Sequence, residues 1–126
     1  MAGFRLIARA GAIFLALCSA CSAEGGISGL WMRDTGTARV QFAPCGDKIC
    51  GTITWVRDAD SATKVGMRVF YDMEPERANN WTGTAFNPED KQTYTGTLTL
   101  SGNTITATGC VIGRLFCRSV RWNRAK

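Results

Sequence analysis

The sequence predicts an all-β fold, a small antiparallel barrel of about eight short strands, and three observations carry that prediction. From Gly29 onward the chain is rich in threonine and β-branched residues, set in short runs that alternate apolar and polar side chains. Such runs suit strands with one face buried. Glycine, asparagine, aspartate or proline separates the runs at close intervals, which suits an antiparallel sandwich or barrel. Glycines also fall inside the runs, at Gly83, Gly96 and Gly109. A glycine weakens a strand unless the backbone bends there or another group comes close, and strongly curved sheets need such places. Curvature favours the barrel, because eight strands closed on themselves leave no edge. At 126 residues and 45% hydrophobic side chains, the chain is too apolar for disorder and large enough for one domain.

The strands are expected over residues 30–33, 38–42, 51–56, 68–71, 81–86, 93–100, 104–110 and 118–124. In the second, Ala38, Val40 and Phe42 alternate with Arg39 and Gln41, so one face is apolar. In the sixth, Tyr94, Leu98 and Leu100 alternate with Thr95, Thr97 and Thr99, and Gly96 leaves a gap on the inner face. Ser101-Gly102-Asn103 then reads as a hairpin turn into the seventh strand. Residues 58–65 form a helical turn or a polar loop. No internal repeat or low-complexity linker divides the chain.

The first 23 residues read as a secretory signal peptide. Arg5 and Arg9 give a basic start without acids, a short apolar stretch over 10–17 follows, and small residues precede a cleavage point after Ala23. The domain is then residues 24–126. A competing reading takes Cys18-Ser19-Ala20-Cys21 as a bacterial lipoprotein box with Cys21 as the lipid anchor, although the usual leucine three positions before that cysteine is missing. An uncleaved amphipathic anchor is the third reading. The expected destination is the periplasm or the exterior. Removing residues 1–23 takes away two arginines and no acid, so 13 bases face 10 acids and the net charge falls from +5 to +3. That is too weak to argue for nucleic acid. Arg114, Arg118, Arg121, Arg124 and Lys126 all follow the last acid, Asp90. This basic edge is either a solvated face or a contact for anionic envelope lipid or lipopolysaccharide. The protein is expected to be monomeric.

Four cysteines remain after residue 23, an even number in a small exported domain, and they are expected to form two disulfides. Three connectivities are possible. Cys45–Cys50 and Cys110–Cys117 are preferred, because each pair is close in sequence and flanks a plausible turn. Loops this short contribute roughly 2 kcal/mol each. A zinc site is disfavoured by the wide C-x4-C and C-x6-C spacings and by the absence of histidine.

Three patches carry a family resemblance: Cys45-Gly46-Asp47-Lys48-Ile49-Cys50-Gly51; then Trp81-x-Gly83-x-x-Phe86-Asn87-Pro88 with Tyr94 following; then Gly109-Cys110-Val111 leading through Cys117 to Trp122-Asn123-Arg124. Together they resemble the exported bacterial proteins grouped as domain of unknown function 2147. The resemblance implies a lipocalin-like (calycin-like) barrel in the cell envelope and brings no established activity. Lys91 stands where the family pattern has glycine, which singles out the turn after Asn87-Pro88. Gly29-Leu30-Trp31 in the first strand and Arg124 in the last are similar to the Gly-x-Trp and terminal arginine of lipocalin-like barrels. There the guanidinium covers the indole and closes one end, so Trp31 and Arg124 are expected as structural closure.

Without histidine, the common Ser-His and Cys-His nucleophile pairs are impossible, and no catalytic residue or cofactor is expected. Asp58 with Asp60, and Asp72 with Glu74 and Glu76, recur at a spacing that places each set on one side of an extended segment. They lack the pattern of a calcium loop and read as solvated acidic loops, with no metal assigned. The aromatic residues either fill the barrel or line a pocket, and Trp55, Trp81 and Tyr94 are the candidate ligand contacts, with Trp81 placed at a strand mouth. The leading functional expectation is a non-enzymatic barrel for a small hydrophobic or amphipathic ligand, a lipid or glycan fragment. The alternatives are an interaction or inhibitor module using the rim and the basic C-terminal strand, and a carboxylate-dependent hydrolase joining Asp72, Glu74 or Glu76 to Tyr94.

Overall fold

Eight strands follow one another around a ring in chain order. They are β1 (Gly29–Arg33), β2 (Ala38–Cys45), β3 (Lys48–Val56), β4 (Arg68–Arg77), β5 (Asn80–Asn87), β6 (Gln92–Ser101), β7 (Thr104–Val111) and β8 (Phe116–Arg124). Each pairs antiparallel with its neighbours, and β8 returns to β1 to close the barrel. This computed structural model describes residues 26–112 and 115–125; the expected signal peptide and Cys21 lie outside them. Both expected disulfides are formed, Cys45–Cys50 and Cys110–Cys117. Cys110 and Cys117 are directly opposite in the β7–β8 ladder.

Up-and-down order sends the connections alternately to two ends. The tight turns β2–β3, β4–β5 and β6–β7 share one end with the Ile27 segment and Arg124. The connections β1–β2, β3–β4, β5–β6 and β7–β8 share the other. The first end is plugged. Ile27, Trp31, Val40, Phe42, Met73, Leu98 and Ile105 are fully buried there or just above it. Each such side chain contributes roughly 1.5–3 kcal/mol when removed from water.

The β1–β8 seam is short, with three consecutive register pairs: Trp31 opposite Arg124, Met32 opposite Asn123, and Arg33 opposite Trp122. Side chains reinforce it. The Arg124 guanidinium lies 4.4 Å from the centre of the Trp31 ring, and Trp31 Nε1 donates to Ile27 O at 2.9 Å. Arg124 Nε donates to Asn103 Oδ1 at 2.9 Å and Arg124 Nη2 to Gly26 O at 3.4 Å, so one side chain ties β8 to the β6–β7 turn and the N-terminal segment. The Arg124 guanidinium thus lies over the Trp31 indole, the contact that the resemblance implies.

The largest departure from the expected strands is β4, which continues to Arg77 instead of ending at Tyr71. Asp72, Glu74 and Glu76 thus stand on a strand, not on an acidic loop. The reason is a β-bulge. Tyr71 pairs with Thr84 and Glu74 with Thr82, so Asp72 and Met73 together face Gly83, and Asp72 takes a left-handed φ of 53°. The extra residue breaks the period-two pattern and turns Met73 inward in place of Asp72. Gly83 makes room for it, since a Cβ there would lie 2.6 Å from Met73 Sδ and 2.7 Å from Tyr71 O. The strand β3 also begins earlier than expected, at Lys48, because Gly46-Asp47 suffices to turn the chain. Residues 58–65 take the loop alternative; Ser61 N donates to Asp58 O across one turn.

Two substitutions test this backbone. Gly83→Ala should lower unfolding free energy by about 1–3 kcal/mol, because a methyl group must displace backbone carbonyls opposite it; an unchanged denaturation midpoint would refute the bulge packing. Lys91 holds a left-handed φ of 60° in the β5–β6 turn, where the family resemblance expects glycine. Lys91→Gly should raise stability by about 0.5–1 kcal/mol in the same measurement, the left-handed penalty less the entropy that glycine adds to the unfolded chain.

Candidate ligand cavity

Inward side chains shrink from the plugged end to the open one. Along β5 they run Trp81, Gly83, Ala85; along β7, Ile105, Ala107, Gly109; along β8, Trp122 and Val120. Large residues fill the lower half, and small ones leave the upper half hollow. The result is a cavity of about 550 Å³ that opens at the rim. Its walls include Ile53, Phe70, Ala85, Ala107, Val120 and Trp122, with Phe70 and Trp122 edge-to-face at 6.3 Å. Eight-stranded barrels have room for side chains or for one small ligand, and this one divides its length between the two.

Tyr94 is the exception to the taper. It lies against Gly109, where a Cβ would come within 3.0 Å of Tyr94 Cβ, so that glycine lets the tyrosine pack flat on β7. Its hydroxyl donates to Asp90 Oδ2. Asp90 also accepts from Gln92 N at 2.9 Å and faces Arg118 Nη1 at 3.4 Å. The Tyr94 hydrogen bond above all holds the Asp90 carboxyl below its ordinary range, with help from Gln92, Arg118 and Asn87 against partial desolvation. The rim is tied elsewhere too. Thr63 Oγ1 donates to Glu89 Oε2 at 3.1 Å, joining the β3–β4 and β5–β6 connections, and Arg57 pairs with Asp58 at 3.1 Å.

Of the three aromatic residues expected in the pocket, Tyr94 alone lines it. Trp81 is buried in the plugged half, opposite Leu98 and Pro75, because Asn79 lies in the β4–β5 turn and Asn80 begins β5 at that end and not at a mouth. Trp55 stands on the outer face under the Arg39 guanidinium, 5.3 Å from its ring. Ile53 points inward, so strict alternation would bring Trp55 inward as well. A bulge at Thr54, between the pairs Arg39–Trp55 and Val40–Ile53, reverses it. Asp72, Glu74 and Glu76 do not meet Tyr94, whose carboxylate partner is Asp90; Glu74 pairs instead with Lys48 at 3.8 Å. Cys45 Sγ, Cys50 Sγ and an Asp72 oxygen lie within 4.8 Å of one another, yet the two sulfurs are bonded to each other and offer no thiolate.

Sequence reasoning missed Arg33. It occupies an inward position two residues after Trp31, lines the cavity, and sets its guanidinium 5.7 Å from the Trp122 ring. The available signal was a cation in phase with a buried tryptophan on the same strand.

An antiparallel barrel closed in chain order, plugged at one end and hollow at the other, defines the class: a small up-and-down β-barrel with an internal cavity. Within that class, the chain belongs to the bacterial family described as "Uncharacterized protein conserved in bacteria (DUF2147)", whose model matches residues 29–124, from the first residue of β1 to the last of β8. No curated protein and no solved structure matches the chain.

The rim contact gives a pH prediction. A carboxyl whose folded pKa is depressed adds stability that is complete above its unfolded value, about 3.9, and is lost as the pH falls through the folded value. Tyr94→Phe should return the Asp90 titration, followed by carbonyl NMR, toward that unfolded value and move acid unfolding to higher pH. An Asp90 titration unaltered in the variant would show that Tyr94 does not hold the carboxylate.

Proposed function

We propose that the protein is an exported envelope barrel that binds one small hydrophobic or amphipathic molecule, a lipid or glycan fragment, without chemical conversion. The observation that carries this reading is the taper of inward side chains, which leaves an apolar cavity of about 550 Å³ open to solvent. Ligand pockets are concave, mostly apolar and roughly 300–1,000 Å³ in volume, with a few polar groups to orient the guest. Export to the periplasm or beyond, with Cys21 lipidation as the anchored variant of that fate, is supported by the signal-like start of the chain. The two disulfides agree with an oxidising compartment.

A second reading has its own observation. Ile112, Leu115 and Phe116, at the β7–β8 connection, are 72%, 70% and 58% exposed. They stand beside Arg118 and on the same hairpin as Arg121, both exposed. Exposed apolar side chains next to bases favour an interaction module that meets a protein or lipopolysaccharide through the rim and the C-terminal strand.

Native mass spectrometry of the protein taken gently from its own cell envelope separates the two. A mass excess that disappears on denaturation supports the cavity reading and gives the mass of the guest. Ala107→Trp, which fills the hollow half, should abolish that excess while the fold, followed by circular dichroism, persists. No excess in the natural protein would overturn cavity binding and leave the rim as the functional surface.

A further inference from the structure

We propose that the cavity selects amphiphiles with an anionic head group, and that Arg33 is the residue that binds the head. The inference rests on the cavity-binding reading above and assigns its ligand class. The seam between β1 and β8 contains two arginine–tryptophan pairs of opposite sense, Trp31 with Arg124 and Arg33 with Trp122. The first pair is fully bonded: its indole N–H donates to Ile27 O, and its guanidinium donates to Asn103 and Gly26. The second pair has the stacking without the hydrogen bonds. Three buried side-chain donors have no hydrogen-bond partner among the described residues: Arg39 Nε, on the outer face over Trp55, and Arg33 Nε and Trp122 Nε1, which belong to residues that line the cavity. A buried donor left unmade costs about 1–3 kcal/mol, and native proteins leave few of them.

The surrounding charges sharpen the contrast. Arg57 has Asp58, Arg118 has Asp90, and Glu89 accepts from Thr63. Arg33 has only Asp34, whose carboxylate lies 3.6 Å from Nε, beyond hydrogen-bond range, and faces solvent. The Arg33 side chain itself is 29% exposed, so it is neither sealed in the wall nor free in water. Arg39 stacks on Trp55 in the same unbonded way but on the outer face, so what sets Arg33 apart is its place at the cavity. A guanidinium held by stacking at the edge of an apolar cavity, with its planar fork unspent, fits a carboxylate or phosphate whose tail lies along Ile53, Phe70, Ala107 and Val120.

The test compares three probes with one twelve-carbon chain, dodecanoate, dodecyl phosphate and 1-dodecanol, each titrated into the delipidated full-length protein by calorimetry below its micelle concentration. At least one of the two anions should bind about tenfold or more tighter than the alcohol, the gain expected of a charged hydrogen bond. Dodecanoate alone preferred would name a carboxylate, dodecyl phosphate alone a phosphate. Arg33→Gln should reduce the preference to near unity and leave alcohol binding unchanged. Arg33→Lys, which keeps the charge and loses the fork, should retain a smaller preference, and it carries the test if the glutamine variant does not fold. Anions and alcohol bound equally by the natural protein, or all three weakened alike by both variants, would overturn the anion site while leaving the cavity reading intact. None of the three bound, with or without Ala107→Trp, would overturn the cavity reading itself.

Discussion

The closing of β1 onto β8 is the constraint on which the rest of the barrel depends. Only three residue pairs form that seam, so its backbone hydrogen bonds alone are a short zipper. Arg124 strengthens it by spanning three segments at once while covering Trp31. With the seam shut, no strand edge remains open to pairing with another chain, and the large residues of the lower half can gather around a fully buried indole. With it open, Trp31 and Ile27 would face water and the plug would lose its floor.

Once the ring is closed, residue size along the inward faces decides where it is full and where it is hollow. Toward the plugged end Trp81 stands opposite Leu98 and Ile105 opposite Leu100; Ala85 on β5, and Ala107 and Gly109 on β7, follow toward the open end. Two bulges then choose which neighbours share that interior. The bulge at Asp72–Met73 turns a methionine in and a carboxylate out, and the one at Thr54 sends Trp55 to the surface. Each adds one residue to a strand and so reverses the alternation beyond it.

The cavity is therefore an outcome of packing, and its polarity is set by a few groups at its edge. At the rim Arg57 pairs with Asp58, Arg118 with Asp90, and Thr63 donates to Glu89 across two connections. Tyr94 does double duty, as wall and as the hydrogen-bond donor that keeps Asp90 ionised. Arg33 lines the cavity, lies 3.6 Å from Asp34, and keeps a buried Nε without a hydrogen bond.

From the sequence alone came the all-β class, the barrel, the approximate positions of all eight strands, both disulfides and the contact of Arg124 with Trp31. These depend on local facts: period-two alternation, turn residues, short cysteine spacings and a Gly-x-Trp motif at a strand that must be first. The exchange of Trp55 for the outer face, the burial of Trp81 at the plugged end, the extension of β4 to Arg77 and the placing of Arg33 at the cavity were decided only by the tertiary structure. A bulge shifts parity by one residue without leaving a mark in composition, and the end to which a turn belongs follows from counting strands around a closed ring. Whether an arginine has a partner depends on residues about ninety positions away, because β1 meets β8 only when the barrel closes.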